Sequence, residues 1–204
     1  ICMIGRANLC EPEFCNKAQA GHEEDIRPCI GCLRCLNGIM FGKRVACTVN
    51  PSLEPENEDT ITPAKETKNV LVIGGGPAGM EAAYVAAKRG HHVVLADRQD
   101  SLGGTVRIAA VPIAKQDLTQ LIKYQAHKLE QAGVKVLLNT EVTLETIQKD
   151  YPDYEVILCA GATPVVPQFM TQFKDWMTAD DVLYGRKFPG RKIVVIGGGS
   201  VGCE

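Results

Sequence analysis

Apolar residues are scattered up to Thr67 and fall into ordered blocks after it. Asn69 is followed by Val70-Leu71-Val72-Ile73, an unbroken apolar run. Such a run predicts a strand of a parallel sheet covered on both faces. The Ala-rich stretch Pro77 to Arg89 predicts a helix that Gly90 ends. His92 to Ala96 predicts a second strand. From Gln116 to Ala132, Leu118, Leu121, Ile122, Gln125 and Leu129 fall near one face, which predicts an amphipathic helix. Val134 to Leu138, after Gly133, and Tyr154 to Ala160 predict a third and a fourth strand. This alternation predicts an α/β fold with a doubly wound parallel sheet of the Rossmann type. Ile193 to Ile196 predicts the opening strand of a second such unit. V-L-V-I-G-G-G-P-A-G and I-V-V-I-G-G-G-S-V-G form the one internal repeat in the sequence.

The chain ahead of Asn69 reads differently. I-C-M-I-G-R predicts a short apolar strand ending at Gly5-Arg6, and Asn8 to Gly21 predicts a turn and a helix closed by Gly21. Residues 28–51 are rich in loop residues and cysteine, and the polar stretch 52–67, with Pro55 and Pro63, predicts a linker. The expected division is 1–27, 28–51, 52–67, 68–190 and 191–204. The chain opens on Ile1 rather than Met and closes two residues after its second glycine motif, so it reads as an internal piece of a longer protein.

Net charge is -2 and the isoelectric point is about 6.1, which argues against a nucleic-acid surface. No apolar run approaches the roughly 20 residues of a membrane helix. Nine cysteines are present, four of them clustered, a pattern of metal binding in a reducing interior such as the cytoplasm rather than of a disulfide framework. The partners expected are a small-molecule substrate and other copies of the chain, with no nucleic acid and no membrane.

Gly74, Gly76 and Gly79 stand between the first strand and the first long helix, in the order Gly-x-Gly-x-x-Gly. The first glycine allows a tight turn, the second lets backbone approach a pyrophosphate, and the third lets helix and strand pack closely. The helix start, with Pro77 and Ala78, offers free N–H groups and a positive dipole end to phosphates. Asp97, eighteen residues past Gly79, is placed to accept hydrogen bonds from an adenosine ribose, with Arg98 beside it. Ser101-Leu102-Gly103-Gly104-Thr105 and Leu158-Cys159-Ala160-Gly161-Ala162 resemble segments of two-dinucleotide flavoproteins, with Cys-Ala-Gly in place of Ala-Thr-Gly. On that resemblance Gly104, Val142, Ala160 and Gly161 join the first site, which is assigned to FAD. Gly197, Gly199 and Gly202 are assigned to NAD(P)H. No catalytic acid or base is identified, and His22, His91, His92 and His127 read as surface or helix residues.

Cys29, Cys32 and Cys35 stand at two-residue gaps, and Cys47 follows after eleven more residues. Paired knuckles of structural zinc match this poorly, whereas three close thiolates and a fourth can hold a cubane. A 4Fe–4S cluster is therefore expected ahead of zinc or free thiols. No other cysteine stands nearby in sequence to replace Cys35. Cys2, Cys10, Cys15, Cys159 and Cys203 read as small buried side chains. The stretch after Gly103-Gly104, T-V-R-I-A-A, holds no cysteine and so no redox pair beside the first nucleotide site, which argues against flavin-to-disulfide chemistry.

The order G-R, E-P, I-R-P-C-I-G-C, C-T-V-N-P, V-L-V-I-G-G-G-P-A-G-M-E-A-A, L-G-G, T-A-D-D-V-L covers nearly the whole chain. It resembles the NADH:flavin oxidoreductases that join an old yellow enzyme barrel to a two-dinucleotide module. That group includes 2,4-dienoyl-CoA reductase, 2-enoate reductase, trimethylamine dehydrogenase and bile-acid-converting oxidoreductases of gut anaerobes. The resemblance implies that residues 1–27 end an FMN-binding (β/α)8 barrel, with Gly5 and Arg6 at the FMN phosphate. It implies electron flow from NAD(P)H through FAD and the cluster to FMN, for reduction of an activated C=C bond. An amine dehydrogenase running electrons outward, an electron-distributing subunit like the small subunit of glutamate synthase, and a zinc-stapled nucleotide-binding module are the alternatives. The family spaces its first ligands C-x2-C-x3-C, so the loop to Cys35 is one residue shorter here.

Overall fold

A four-stranded parallel sheet of order β3-β2-β1-β4 organises the chain. The computed structural model describes residues 3–53 and 61–204. In chain order the elements are α1 (Arg6–Cys10), α2 (Phe14–Ala20), α3 (Arg34–Met40), β1 (Asn69–Ile73), α4 (Pro77–Lys88), β2 (His92–Ala96), α5 (Val106–Ala109) and α6 (Leu118–Gln131). They continue with β3 (Lys135–Leu137), α7 (Leu144–Asp150), β4 (Tyr154–Leu158), α8 (Ala179–Leu183) and α9 (Ser200–Cys203).

The apolar run of β1 is buried on both faces, as a central parallel strand must be. Val70 and Val72 face Met80, Ala83 and Ala86 of α4, Val93 and Leu95 of β2, and Leu129 of α6. Leu71 points the other way, with Val94 and Ala96, toward Val142, Ile147 and Tyr151. The amphipathic helix buries Leu121, Tyr124, Gln125 and Leu129. Strands β3 and β4 are shorter than the apolar runs suggest. The ladder with β2 ends at Leu137, and the ladder with β1 ends at Leu158, where Gly74 turns away.

Three expectations for the sheet and its flanks change. Met3 and Ile4 form no strand, and Arg6 opens a helix; Ile1 and Cys2 lie outside the described residues. Ile193–Ile196 is likewise no strand, and its side chains are half or more exposed. A strand is held by its ladder, and among the described residues neither segment has one. The cysteine segment, read as rich in loop residues, also contains a helix, α3, that was not expected. Of the linker 52–67, residues 54–60 lie outside the described residues. Pro51–Leu53 is a short 3-10 turn, and 61–67 is largely exposed without regular structure. Gly21 does close α2, in the left-handed conformation at φ 76°.

The segment ahead of the sheet is fastened to α6. Asp25 accepts hydrogen bonds from Gln131 Nε2 at 2.7 Å and pairs with His127 Nε2 at 3.0 Å. Lys128 Nζ stands 4.0 Å away. No helix among the described residues is long and apolar enough to cross a membrane.

Candidate functional site

Strand β1 is the point where the sheet changes direction, with β2 on one side and β4 on the other. In open α/β sheets ligands sit at the carboxyl ends of the strands at such a point. Three loops meet there. The Gly74 N–H donates to the Ala96 carbonyl at 2.8 Å, and the Cys159 N–H donates to the Ile73 carbonyl at 2.7 Å. The turn 74–76, the end of β2 and the end of β4 are thereby tied together.

Each glycine of the turn is there for a different reason. Gly74 has φ 110°, and a Cβ on it would collide with the Cys159 carbonyl. A Cβ on Gly79 would lie 3.0 Å from the Gly74 carbonyl carbon and nearer still to its oxygen. Gly75 is closed in by Leu102 and Asp97, at 2.7 and 3.0 Å from a Cβ. Gly76 differs: its backbone is ordinary extended chain, φ -74° and ψ 176°, and a Cβ there would meet nothing within 4 Å. The open space is at the N-terminus of the twelve-residue α4, whose first-turn amides lack intrahelical partners. Pro77 occupies the first helical position, where a missing N–H costs nothing. A backbone cradle with that vacancy is what a pyrophosphate needs.

Asp97 is buried, and both its oxygens are engaged. Oδ2 accepts from the Gly75 N–H at 2.5 Å and Oδ1 from the Gln99 N–H at 2.7 Å. The acid therefore braces the glycine turn, a role its sequence position does not announce. Each carboxylate oxygen has a second lone pair, so a ribose hydroxyl can still be accepted. The L-G-G segment folds back over the turn: the Gly103 N–H donates to the Gly75 carbonyl at 2.8 Å, and Gly104 abuts Gly76. Ala160 and Gly161 are exposed just beyond β4, and Arg98 is exposed beside Asp97. Val142 packs under the sheet against the Leu71 face. Gly74, Gly76, Pro77, Ala78, Gly79, Asp97 and Gly104 thus share one locus. Gly5 and Arg6 stand exposed at the start of α1, away from regular sheet structure.

The second glycine motif repeats the first turn without the strand. Gly197 has φ 107° and Gly199 has φ -76° and ψ -175°, and a Cβ on Gly202 would strike the Gly197 carbonyl as one on Gly79 strikes Gly74.

Cys29, Cys35 and Cys47 are half-buried and Cys32 is exposed. Leu33, left-handed at φ 58°, turns the chain into α3, so Cys32 and Cys35 flank the helix start. The Cys32 sulfur lies 3.1 Å from Thr48 Oγ1. Burial opposes its ionisation, but Thr48 and the Arg34 and Thr48 amides outweigh burial and lower the thiol pKa. Tetrahedral zinc, at ~2.3 Å from each sulfur, would draw its ligands to about 3.8 Å of one another. Among the described residues no three cysteine sulfurs lie within 4.8 Å. The hydroxyl and amide donors at the Cys32 sulfur are of the kind that tune an iron–sulfur cluster.

Sequence spacing hid a fifth thiol. Cys10, fully buried at the end of α1, lies against Cys47 and near Cys29. Burial, with those two sulfurs, pushes its pKa up to about 12. Cys10 donates to the Arg27 carbonyl at 3.4 Å. It was expected to be a buried side chain and is, whereas Cys15 and Cys203 are exposed, Cys159 is half-buried and Cys2 is outside the described residues.

Around Cys10 runs a polar joint whose members the motifs contain but do not explain. Arg27 Nη1 donates to Asn50 Oδ1 at 2.6 Å and to the Cys10 carbonyl at 3.4 Å. Buried Asn50 donates to the Leu9 carbonyl at 2.9 Å. Buried Glu11 takes Lys17 Nζ at 2.6 Å, the Glu13 N–H at 3.2 Å and the Arg27 N–H at 3.3 Å. Burial alone would raise the Glu11 carboxyl, but these donors hold it below 4.5. The Arg27 guanidinium lies 5.8 Å from the Tyr124 ring centroid on α6. Next to Tyr124, Gln125 Nε2 donates to the Pro77 carbonyl at 3.3 Å, so the same helix touches both the joint and the glycine loop. The sequence signal for this joint was limited to one polar residue in each of the motifs E-P, R-P-C and V-N-P: Glu11, Arg27 and Asn50.

Residues 68–204 match the pyridine nucleotide-disulphide oxidoreductase family. Only Cys159 and Cys203 fall in that stretch, so no C-x4-C pair accompanies the match. The chain is 39% identical over 202 residues to a cinnamate reductase of Clostridium sporogenes, covering 98% of this chain and 30% of the relative. It is 40% identical over 209 residues to an NADH oxidase of Thermoanaerobacter brockii, covering 98% of this chain and 32% of that protein. Among solved structures, a 2-naphthoyl-CoA reductase in complex with 2-naphthoyl-CoA superposes with a TM-score of 0.90. It is 33% identical and covers 97% of this chain and 30% of the reductase. The chain thus spans about a third of the length of the relatives it matches. The family resemblance read from the motifs is borne out by these matches.

Proposed function

The chain belongs to the pyridine nucleotide-disulphide oxidoreductase family, and on that premise we propose that it is the flavin-binding and electron-relay portion of an NAD(P)H-linked oxidoreductase. In this reading FAD is held at Gly74, Gly76, Pro77, Ala78, Gly79, Asp97, Arg98, Gly104, Val142, Ala160 and Gly161. NAD(P)H is held at Gly197, Gly199 and Gly202, and a 4Fe–4S cluster at Cys29, Cys32, Cys35 and Cys47. Residues 1–27 close an FMN-binding barrel, with Gly5 and Arg6 at its phosphate. The whole protein reduces an activated C=C bond of the enoate or enoyl-CoA kind in the cytoplasm. When bound, the flavins supply hydride and single-electron chemistry and the cluster carries single electrons.

The residues of this chain bind and orient. The open face at Gly76 and the first turn of α4 receive the diphosphate. Asp97 fixes the turn through Gly75 and keeps lone pairs for ribose. Thr48 and nearby amides present hydrogen bonds to the Cys32 sulfur. The observation that carries the reading is the vacancy at Gly76, in a turn otherwise filled on every side.

The test is iron, zinc, acid-labile sulfide and flavin content of the full-length protein purified without oxygen. About four iron and four sulfide per chain, with FAD and FMN, is the expected result. Zinc without sulfide would end the electron-relay reading, and three irons would remove Cys35 from the ligand set.

A further inference from the structure

Cys10 ends α1 fully buried, and two acceptors compete for its single S–H proton. The Arg27 carbonyl lies 3.4 Å from its sulfur. The Cys47 side chain is within hydrogen-bonding contact of the same sulfur, with Cys29 close by. The proton turns about the Cβ–Sγ bond, so either acceptor is served without moving a heavy atom. A buried cysteine is ordinarily a small apolar filler. This one faces a sulfur assigned to the cluster.

The main chain carrying Cys10 is pinned by residues that flank those ligands. Asn50, three residues after Cys47, donates to the Leu9 carbonyl at 2.9 Å. Arg27, two residues before Cys29, donates to the Cys10 carbonyl at 3.4 Å and to Asn50 Oδ1 at 2.6 Å. These bonds tie the chain at residues 10, 27 and 50 together and fix where the Cys10 sulfur stands against Cys47.

The charge on Cys47 decides which acceptor takes the proton. A metal ligand is a thiolate, and a hydrogen bond to an ionised acceptor is about twice as strong as one to a neutral carbonyl. Hydrogen bonds to the sulfurs help to set the potential of an iron–sulfur centre. The positive end of a donor favours the reduced, more negative state.

We propose that the Cys10 S–H donates to the Cys47 sulfur when Cys47 ligates the cluster, raising the reduction potential of the centre. This rests on the reading of Cys29, Cys32, Cys35 and Cys47 as cluster ligands. Cys10 acts through Cys47 and is a positioning residue.

The experiment compares full-length wild type with Cys10→Ala, which removes the donor, and Cys10→Ser, which keeps one. Iron and sulfide are counted, and the midpoint is measured by reductive titration followed by electron paramagnetic resonance. Cys10→Ala is expected to weaken one-electron reduction about threefold to tenfold, ~28–59 mV, while Cys10→Ser stays at or above wild type. The Cys10 S–H stretch, isolated as the infrared difference between wild type and Cys10→Ser, is expected to fall in frequency when the stripped protein is reloaded with its cluster. If Cys10→Ala holds no iron, that band decides alone. Equal midpoint shifts in both variants with an S–H band that loading leaves unmoved overturn the proposal. So does a cluster lost from Cys10→Ser but kept in Cys47→Ala, which would make Cys10 the ligand. Wild type without iron and sulfide would sink the ligand assignment itself, a result distinct from a loaded cluster indifferent to Cys10.

Discussion

Replacing Gly76 by valine separates ligand binding from folding. Position 76 has φ -74° and ψ 176°, which any residue adopts, and a Cβ there meets no atom within 4 Å. Removing glycine restricts the unfolded chain and stabilises by ~0.4–1 kcal/mol. Losing glycine as the N-cap of α4 costs a similar amount. The two nearly cancel, so the flavin-free protein should melt within ~2–4 °C of wild type, the shift that 1 kcal/mol brings in a domain of this size. Binding behaves otherwise, because the new methyls fill the space over the first turn of α4. Gly79→Ala is the control. Its Cβ would fall within 3.0 Å of the Gly74 carbonyl carbon and closer to the oxygen, so strand and helix must separate. Overpacking of that kind costs ~1–3 kcal/mol or more. The assay is flavin stoichiometry after desalting, paired with melting of flavin-stripped protein, since bound flavin itself stabilises by ~2.7 kcal/mol at a hundredfold excess over Kd. Gly76→Val should lose FAD and keep its apo stability, whereas Gly79→Ala should lose both. Full flavin occupancy in Gly76→Val would refute the assignment of the loop.

Three further outcomes are expected. Cys47→Ala should abolish iron and sulfide while FAD stays bound, and parallel loss of both on elemental and flavin analysis would mean the two sites fold as one unit. Asp97→Ala should strip two charge-assisted hydrogen bonds from Gly75 and Gln99, each worth ~1.5–3 kcal/mol, lowering the melting temperature even without flavin; an unchanged apo melt would show the brace to be idle. Glu11 has a depressed carboxyl pKa, so its contribution is present above the unfolded value near 4.5 and disappears as pH falls through the folded one. Acid unfolding of Glu11→Gln should therefore lack part of the wild-type pH dependence below that value, and identical pH profiles would count against the buried pairing with Lys17.

The sheet was legible because its signals are local and redundant. Val70 to Ile73 can hardly be anything but a covered strand, and Gly90 and Gly21 end helices with positive φ. Helix α7 was not foreseen: its reciprocal cap joins Thr143 and Thr146, and a threonine at the third helical position is a weaker cue than glutamate. The apolar runs at Met3-Ile4 and at Ile193–Ile196 misled, because apolar letters report what can be buried and not whether a ladder partner is at hand. The glycine turn was readable in order and spacing. That Asp97 braces it was not, since hydrogen bonds between residues 22 apart leave no period in the sequence. The same limit hid the setting of Cys10, read only as a small buried side chain, which contacts a residue 37 positions later.

The two glycine turns differ in surroundings yet share their backbone angles and their closest approach. One is clamped between paired strands and the other follows an unpaired run. The contact that closes each joins residues five apart, within the range where chain closure takes tens of nanoseconds. Such a turn needs no sheet to prescribe it. It is able to form as a local event before the parallel ladders, which must wait for non-local strands to meet. An anion held at that early turn would therefore bias the order in which the sheet assembles, making the cofactor a template for folding as well as a passenger of the folded protein.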